Sequence, residues 1–364
     1  MFTFFSRFKV RTQLAVLLLV FGMLPVMAVL PISIEKLDET RHARMASMQE
    51  NVRIALNTID RNLFDRYGDV QAFALNPAAR NSGPGAVSTL VQSMNGYMVN
   101  YGMYKLMMLV DMDGNVVATN TVDASGKALN TSALAKKNFA DAAWFRKAVR
   151  KEFLKGKTLT GTVVEQPARQ PELASLYQDD GFALSFSAPV MDDAGKMIGV
   201  WVNFADFGLI EDIIKSFYQG QKAVGQGGIA YALADGTGKL LMDYNPMERK
   251  SEDYTRDSNE IGVKTLADAE IPSADVAVKE NAGIGIFKDI ASGLSDVAVY
   301  SHSTGAYDFP GMGWIMVQHT PEDMVFADLI RTKNTLLTVT GVAALLVVLV
   351  GIGVGSRASR PLQH

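Results

Sequence analysis

Residues 105–118, KLMMLVDMDGNVVA, and residues 229–242, IAYALADGTGKLLM, are two versions of one pattern. In each, a short apolar run meets a turn rich in Asp and Gly, Asp111 to Asn115 in one copy and Asp235 to Gly238 in the other, and then resumes. Such a turn between β-like runs predicts a β-hairpin. A second pattern closes each copy. Phe182 to Val190, a turn at Asp192 to Gly195, and Met197 to Phe204 lead into a helical stretch from Leu209 to Phe217, and Gly313 to His319 leads into Pro321 to Ile330. The same order of elements twice predicts a duplicated α+β module with an antiparallel sheet in each half. Gly220, Gly225, Gly227 and Gly228 predict a flexible link, so the halves are expected at 77–219 and 220–333.

Upstream of the first copy, Met45, Met48, Val52, Ala55, Ile59, Leu63, Tyr67, Val70 and Phe73 recur at three- and four-residue steps. That spacing predicts one long amphipathic helix over 35–76, ending before Pro77, which disfavours helical geometry in its predecessor. The heptad-like part, Met45 to Ile59, is expected either to face a second copy in a homodimer or to lie on the chain's own domain.

Two charge-free segments flank this region, 12–34 and 334–356. Each exceeds the roughly 20 apolar residues that cross a bilayer as a helix. Arg7, Lys9 and Arg11 precede the first, whereas Glu35, Lys36, Asp38 and Glu39 follow it, which predicts a cytoplasmic N-terminus at 1–11 and an exported region at 35–333. A cleaved signal peptide is the other reading of the first segment, although its apolar run is long and no A-x-A site precedes Glu35. Residues 357–364 then return to the cytoplasm.

The composition excludes several functions. No cysteine is present, so thiolate catalysis, disulfides and Cys-ligated metals are ruled out. A net charge of -3 without a basic stripe argues against a nucleic-acid partner. His42, His302, His319 and His364 are scattered, and neither a Gly-x-Ser-x-Gly elbow nor a His-Glu-x-x-His signature occurs. The chain is therefore expected not to be an enzyme, and no cofactor is expected. Asp111 to Asn115 superficially resemble a calcium loop, but the glycine comes too early and the terminal Glu is missing, so a turn is expected.

One cluster suits a small-molecule pocket. Phe139, Trp144 and Phe145 lie in a short helical stretch, and Tyr177, Asp179 and Asp180 precede the strand carrying Ser185 and Ser187. Aromatic walls with a few polar groups are what such pockets need. Trp144 and Phe145 read equally as a cap on the core. Asn203, inside an apolar run, must find a partner or a ligand, and Asp206 stands at the end of the same strand.

The layout resembles the double-Cache ligand-binding region of bacterial methyl-accepting chemotaxis receptors, a tandem PAS-like domain between two transmembrane helices. The likeness rests on Tyr67-Gly68-Asp69-Val70-Gln71-Ala72-Phe73, on Asp141-Ala142-Ala143-Trp144-Phe145, and on Phe186-Ser187-Ala188-Pro189-Val190 with Gly195, Ile198 and Gly199. It implies a pocket in the membrane-distal half, lined by Trp144, Phe145, Thr162, Tyr177, Ser185, Ser187, Asn203 and Asp206. The residues with which amino-acid-binding members clamp carboxylate and ammonium are replaced here, at Lys137, Ala142, Thr160, Thr162 and near Asn203, so the pocket's location carries over and its specificity does not. Arg360-Pro361-Leu362 resembles the start of a HAMP domain. The resemblance thus implies an inner-membrane, multi-pass receptor with its sensor in the periplasm, which acts on cytoplasmic chemotaxis proteins through a further C-terminal part. The sensor region of a histidine kinase or diguanylate cyclase is the alternative.

Overall fold

The computed structural model describes residues 10–81, 85–289 and 293–357, so the segments 1–9 and 358–364, with the HAMP-like triplet, lie outside the described residues. The chain divides into two units, one of 1–47 with 322–364 and one of 48–321.

Helix α1 runs unbroken over Val10–Ala74. It stops just short of Asn76, whose side chain instead accepts from the Ala78 N–H and caps the short helix Pro77–Arg80. Asn at the cap with Pro in the first turn is a strong local start signal, and it sets where the chain leaves α1. Helix α2 follows at Ala86–Tyr101.

Two five-stranded antiparallel sheets then follow, each built from the predicted pieces. The first holds β1 (Tyr104–Asp111), β2 (Val116–Thr119), β3 (Val163–Arg169), β4 (Phe182–Met191) and β5 (Met197–Asp206), in the order β2-β1-β5-β4-β3. The second holds β6 (Ala230–Ala234), β7 (Leu240–Tyr244), β8 (Ala282–Lys288), β9 (Ser295–His302) and β10 (Ile315–Pro321), in the order β7-β6-β10-β9-β8. Strand for strand the orders are identical, as a duplicated module requires. The short helices α3 (Ala143–Val149) and α4 (Pro171–Tyr177) sit between β2 and β4.

The opening hairpins share one turn chemistry. The Asp111 carboxylate accepts the N–H groups of Asp113 and Asn115, and that of Asp235 accepts those of Thr237 and Lys239. Each turn then needs a left-handed residue, supplied by Gly114 (φ 87°) and Gly238 (φ 88°). Both ladders slip by a residue beside the turn, between Leu109 and Val110 and between Leu233 and Ala234, which is the bulge such turns impose. The Asp111 loop is therefore a turn, its carboxylate already occupied by its own backbone.

Helix α5 (Gly208–Ala223) is longer than the sequence suggests and runs through Gly220 into the expected link, which shrinks to 224–229. Its buried face, Ile210, Ile214 and Tyr218, explains the extension. Tyr218 meets Tyr244 of β7 edge-on at 5.3 Å, so α5 leaves the first sheet to pack on the second. The stripe of α1 from Met48 to Phe73 is likewise buried within the chain, with Val52, Ile59, Tyr67 and Val70 fully covered. From Met48 onward it is therefore not free for the dimer seam, because the chain's own core covers it; the face with Ile54 is the exposed one.

In the other unit, the start of α1 lies against α6 (Ala327–Arg357). A Cβ on Gly22 would come within 2.6 Å of the Val347 side chain, so glycine permits this close packing. Arg44 holds Asp328 through two hydrogen bonds of 2.7 and 2.9 Å, and Arg41 lies 4.6 Å over the Phe326 ring. Both α1 and α6 contain stretches long and apolar enough to cross a membrane.

Polar contacts join the two modules. The Asp308 carboxylate, on the loop before β10, accepts the N–H groups of Lys157, Thr158 and Leu159 and the Thr158 hydroxyl. These bonds, led by the Thr158 hydroxyl, hold its pKa at about 2, below the ordinary 3.8. A depressed carboxylate pKa contributes stability that is complete above the ordinary value and lost as pH falls through the folded one. Asp308→Ala is accordingly expected to lower the urea midpoint at neutral pH, with the gap to the parent chain closing between pH of about 4 and about 2. A gap independent of pH in that window would remove Asp308 from this role.

Candidate ligand site

The face of the first sheet away from α1 carries an apolar cluster. Leu106 and Met108 of β1, Val200, Val202 and Phe204 of β5 and Ala183 of β4 form its floor, and Trp144 and Phe145 of α3 lie on it. The Trp144 ring meets Phe204 edge-on at 6.3 Å and Phe145 at 6.0 Å, with Phe139 at 5.8 Å. Trp144 is only 6% exposed and Phe145 5%. The aromatic pair therefore closes the core of this module.

Strand register decides which polar residues reach this face. Ser185 lies opposite Phe204 and Ser187 opposite Val202, so both hydroxyls share the cluster's side of the sheet. The Ser187 Oγ donates to the Trp144 carbonyl at 3.1 Å and fixes the start of α3. The Ser185 Oγ, equally buried, has no partner among the described residues. Beside it in register stands Glu165 of β3, whose carboxylate has the Lys147 ammonium of α3 at 3.1 Å. A buried hydroxyl without a partner, next to an ion pair and beneath an aromatic cover, can receive a small polar group.

The sequence-predicted residues divide into three sets. Trp144, Phe145, Ser185 and Ser187 come together. Tyr177 and Asp206 meet at a neighbouring edge through Lys105: the Tyr177 hydroxyl donates to the Lys105 carbonyl at 2.7 Å, and the Lys105 ammonium contacts Asp179 and lies 3.9 Å from Asp206. Burial, with Asp123, Asp179 and Asp206 nearby, pushes the Tyr177 phenol up and keeps it a donor. Asn203 and Thr162 are placed elsewhere. Asn203 pairs with Phe186 and Met107, which puts it on the α1 side, where its Oδ1 accepts from the Trp201 indole at 2.7 Å. The polar residue in the apolar run thus found a protein partner two residues away. The Thr162 hydroxyl donates to the Tyr67 carbonyl and accepts from Gln71, so it fastens α1. Neither reaches the face of Ser185. Glu165 and Lys147 were missed, because a Lys on a short helix and a Glu on an edge strand give no signal until the register sets them together.

No family model matches the sequence, and no curated protein matches it either. Solved structures do match. The ligand-binding domain of the Pseudomonas aeruginosa PAO1 amino acid chemoreceptor PctB in complex with L-Arg aligns over 78% of this chain and 97% of its own, with a TM-score of 0.51 and 16% identity. That of the Pseudomonas fluorescens chemoreceptor CtaA in complex with L-leucine aligns over 79% and 99%, with a TM-score of 0.51 and 14% identity. The sensory domain of the Campylobacter jejuni chemoreceptor Tlp3 with isoleucine bound aligns over 81% and 98%, with a TM-score of 0.53 and 11% identity. The chain is similar to these domains in fold, which is the fold that the resemblance implied.

Because Trp144 closes a core, Trp144→Ala is expected to cost about 3 to 5 kcal/mol, as large-to-small core changes of this size do. Urea unfolding monitored by far-ultraviolet circular dichroism measures it. A loss below about 1 kcal/mol would instead mark Trp144 as a loose cover over an open pocket.

Proposed function

We propose that the chain is the sensing portion of a bacterial transmembrane chemoreceptor, anchored in the inner membrane by the apolar stretches of α1 and α6 with the double module in the periplasm. The observation that carries this reading is the fold: nearly the full length of the ligand-binding domains of three chemoreceptors superposes on about four-fifths of this chain. The first module takes a small polar molecule at the margin of this closed core, where Ser185, Glu165 and Lys147 meet beside α3. Trp144 and Phe145 form the apolar cover, Ser185 supplies the free hydroxyl, and the Glu165–Lys147 pair offers one charge of each sign. Tyr177 and Asp206 guard the edge. Asn203 and Thr162 act from the α1 side, holding the sheet and helix against which the ligand-bound state is set.

The chemical class follows from these groups. A ligand carrying both a donor and an acceptor, an amino acid among them, meets Glu165, Lys147 and Ser185 together. Binding works without covalent chemistry, and the output is mechanical: α6 moves relative to α1 and drives a HAMP-type segment and the cytoplasmic chemotaxis proteins beyond it. Two copies form the working unit, with the Ile54 face of α1 as the seam in place of the buried stripe.

Thermal-shift screening of the full chain in nanodiscs against amino acids, amines, organic acids and purines tests this reading. A ligand at 100 times its Kd adds about 2.7 kcal/mol, which raises the melting temperature by several degrees. Ser185→Val is expected to abolish that shift while leaving the unliganded melting temperature nearly unchanged, since the hydroxyl has no protein partner to lose. A panel without any stabilising compound, or a shift that survives Ser185→Val, would overturn the assignment.

A further inference from the structure

The second sheet repeats the lattice of the first, but with different chemistry at the same points. On β5, Phe204 lies between Leu106 of β1 and Ser185 of β4. The matching position on β10 belongs to His319, between Ala230 of β6 and Ala298 of β9. Where the first module seats Phe204 beneath Trp144, the second therefore sets an imidazole. Asp296 of β9 and Asp243 of β7 occupy the same face, because Asp296 opposes Pro321 and Asp243 opposes Ala232. Together they help line a hollow of about 500 Å³, within the range of small-molecule sites.

Two features set this hollow apart. Asp296 and His319 are 3% and 7% exposed, and the Asp296 carboxylate lies 2.8 Å from the His319 Nδ1. A carboxylate there requires the proton on Nδ1, which leaves Nε2 as the free end of the ring. That Nε2 has no partner among the described residues. The second feature is charge. Asp243, Glu248, Glu270 and Asp296 line the hollow, and among the described residues no Lys or Arg does. Arg249 is the nearest compensation for Asp243, at 3.9 Å, and is also engaged with the Thr255 carbonyl and the Tyr254 ring. Burial holds the Asp243 carboxyl above its ordinary value even so, with Arg249 and His319 pulling against it. An arriving positive charge would favour the ionised carboxylate against that burial. Among the described residues no group of three or more His, Asp or Glu is placed to hold a metal ion, so the charge suits an organic cation with directional N–H donors.

We infer that the second module binds a small organic ammonium compound in this hollow, with its charged nitrogen towards Asp243 and a donor group towards the His319 Nε2. Met247 and Ile271 supply the apolar wall for the carbon skeleton. This site is separate from the one on the first module and does not depend on it.

Titration calorimetry of the full chain in nanodiscs, with ethanolamine, putrescine and cadaverine as probes and sodium chloride matched for ionic strength, tests the inference. At least one amine is expected to bind saturably at one site per chain. Affinity should fall tenfold or more in Asp243→Asn and in His319→Phe, the latter installing the residue of the matching first-module position. Met247→Trp, which fills the hollow from its exposed rim, should do the same and keeps the test valid where a buried substitution fails to fold. In the chain with nitrogen-15 histidine, the amine should shift the Nε2 signal that His319→Phe removes. The inference is overturned by absence of saturable amine binding, by unchanged affinity in the folded variants, or by calcium chloride binding where the amines do not. It is equally overturned by amine binding that only Ser185→Val abolishes, which would report the first module.

Discussion

The structure depends on one constraint: α1 passes both modules as a single helix, so each module must complete whatever polar group the helix buries against it. Asp60 is the clearest case. It is 2% exposed, and burial raises its pKa although the Ser303 hydroxyl and the Gly305 N–H both donate to it. Those donors come from the second module. Two turns along the helix, the Tyr67 hydroxyl donates to the Leu154 carbonyl and Gln71 donates to Thr162, both in the first module. An unpaired buried carboxylate costs several kcal/mol, so the helix cannot slide by a turn against either module without losing a partner it needs. The register between spine and sheets is therefore fixed by polar satisfaction, and the apolar stripe only provides the adhesion.

The same logic joins the modules to each other. Arg256 of the second module contacts Asp180 at 2.6 Å and Glu211 at 2.8 Å, and lies over the Phe182 ring at 4.9 Å. For Asp180, burial would raise the pKa, but the hydrogen bond and charge of Arg256 lower it; for Glu211, burial prevails and its pKa stays raised. The Trp314 indole donates to Gln166 of β3 at 2.7 Å, and Gly156 leaves no room for a Cβ against the Asp308 carbonyl, which would lie 1.9 Å away. With three such contacts beside the shared helix, the modules have little freedom to rotate apart. A change on the Ser185 face has a shorter route. Thr162 directly precedes Val163 of the cluster and is bonded to α1 at both Tyr67 and Gln71, so displacement of β3 acts on the spine through one residue. Displacement of a packed helix is the form a conformational change can take in such a framework.

Period and turn chemistry made most of the fold legible. The stripe from Met48 to Phe73 has only one reading at helical spacing, and the two turns opened by Asp111 and Asp235 specify their hairpins through side chains close in sequence. The link starts at 224 and not at 220 for an equally local reason: a glycine inside a helix costs only about 1 kcal/mol relative to Ala, and burial of Ile214 and Tyr218 outweighs it. The arrangement of the candidate site was half legible. Composition pointed to Trp144, Phe145, Ser185 and Ser187, but Asn203 and Thr162 could not be placed without the ladder, because a shift of one residue in register exchanges the two faces of a strand. His319 was invisible for a related reason. As a scattered histidine in a sequence it has no partner, and its partner Asp296 lies on the neighbouring strand, joined only by the β9–β10 register.

Duplication explains why one chain presents two such different surfaces. The strand order and the bulged hairpins fix where side chains stand on each sheet, and they are the same in both modules. What each position holds is independent of that lattice. The pair formed by Phe204 and Ala183 favours close packing beneath Trp144, so in the first module polarity survives only at its margin, at Ser185, Glu165 and Lys147. In the second, His319 and Asp296 occupy the matching points, and an apolar cover would leave the His319 Nε2 buried without a hydrogen-bond partner, so the face favours a hollow or a polar partner. The difference between a closed core and a polar hollow thus reduces to two positions on one lattice, and the backbone common to both modules need not change to produce it.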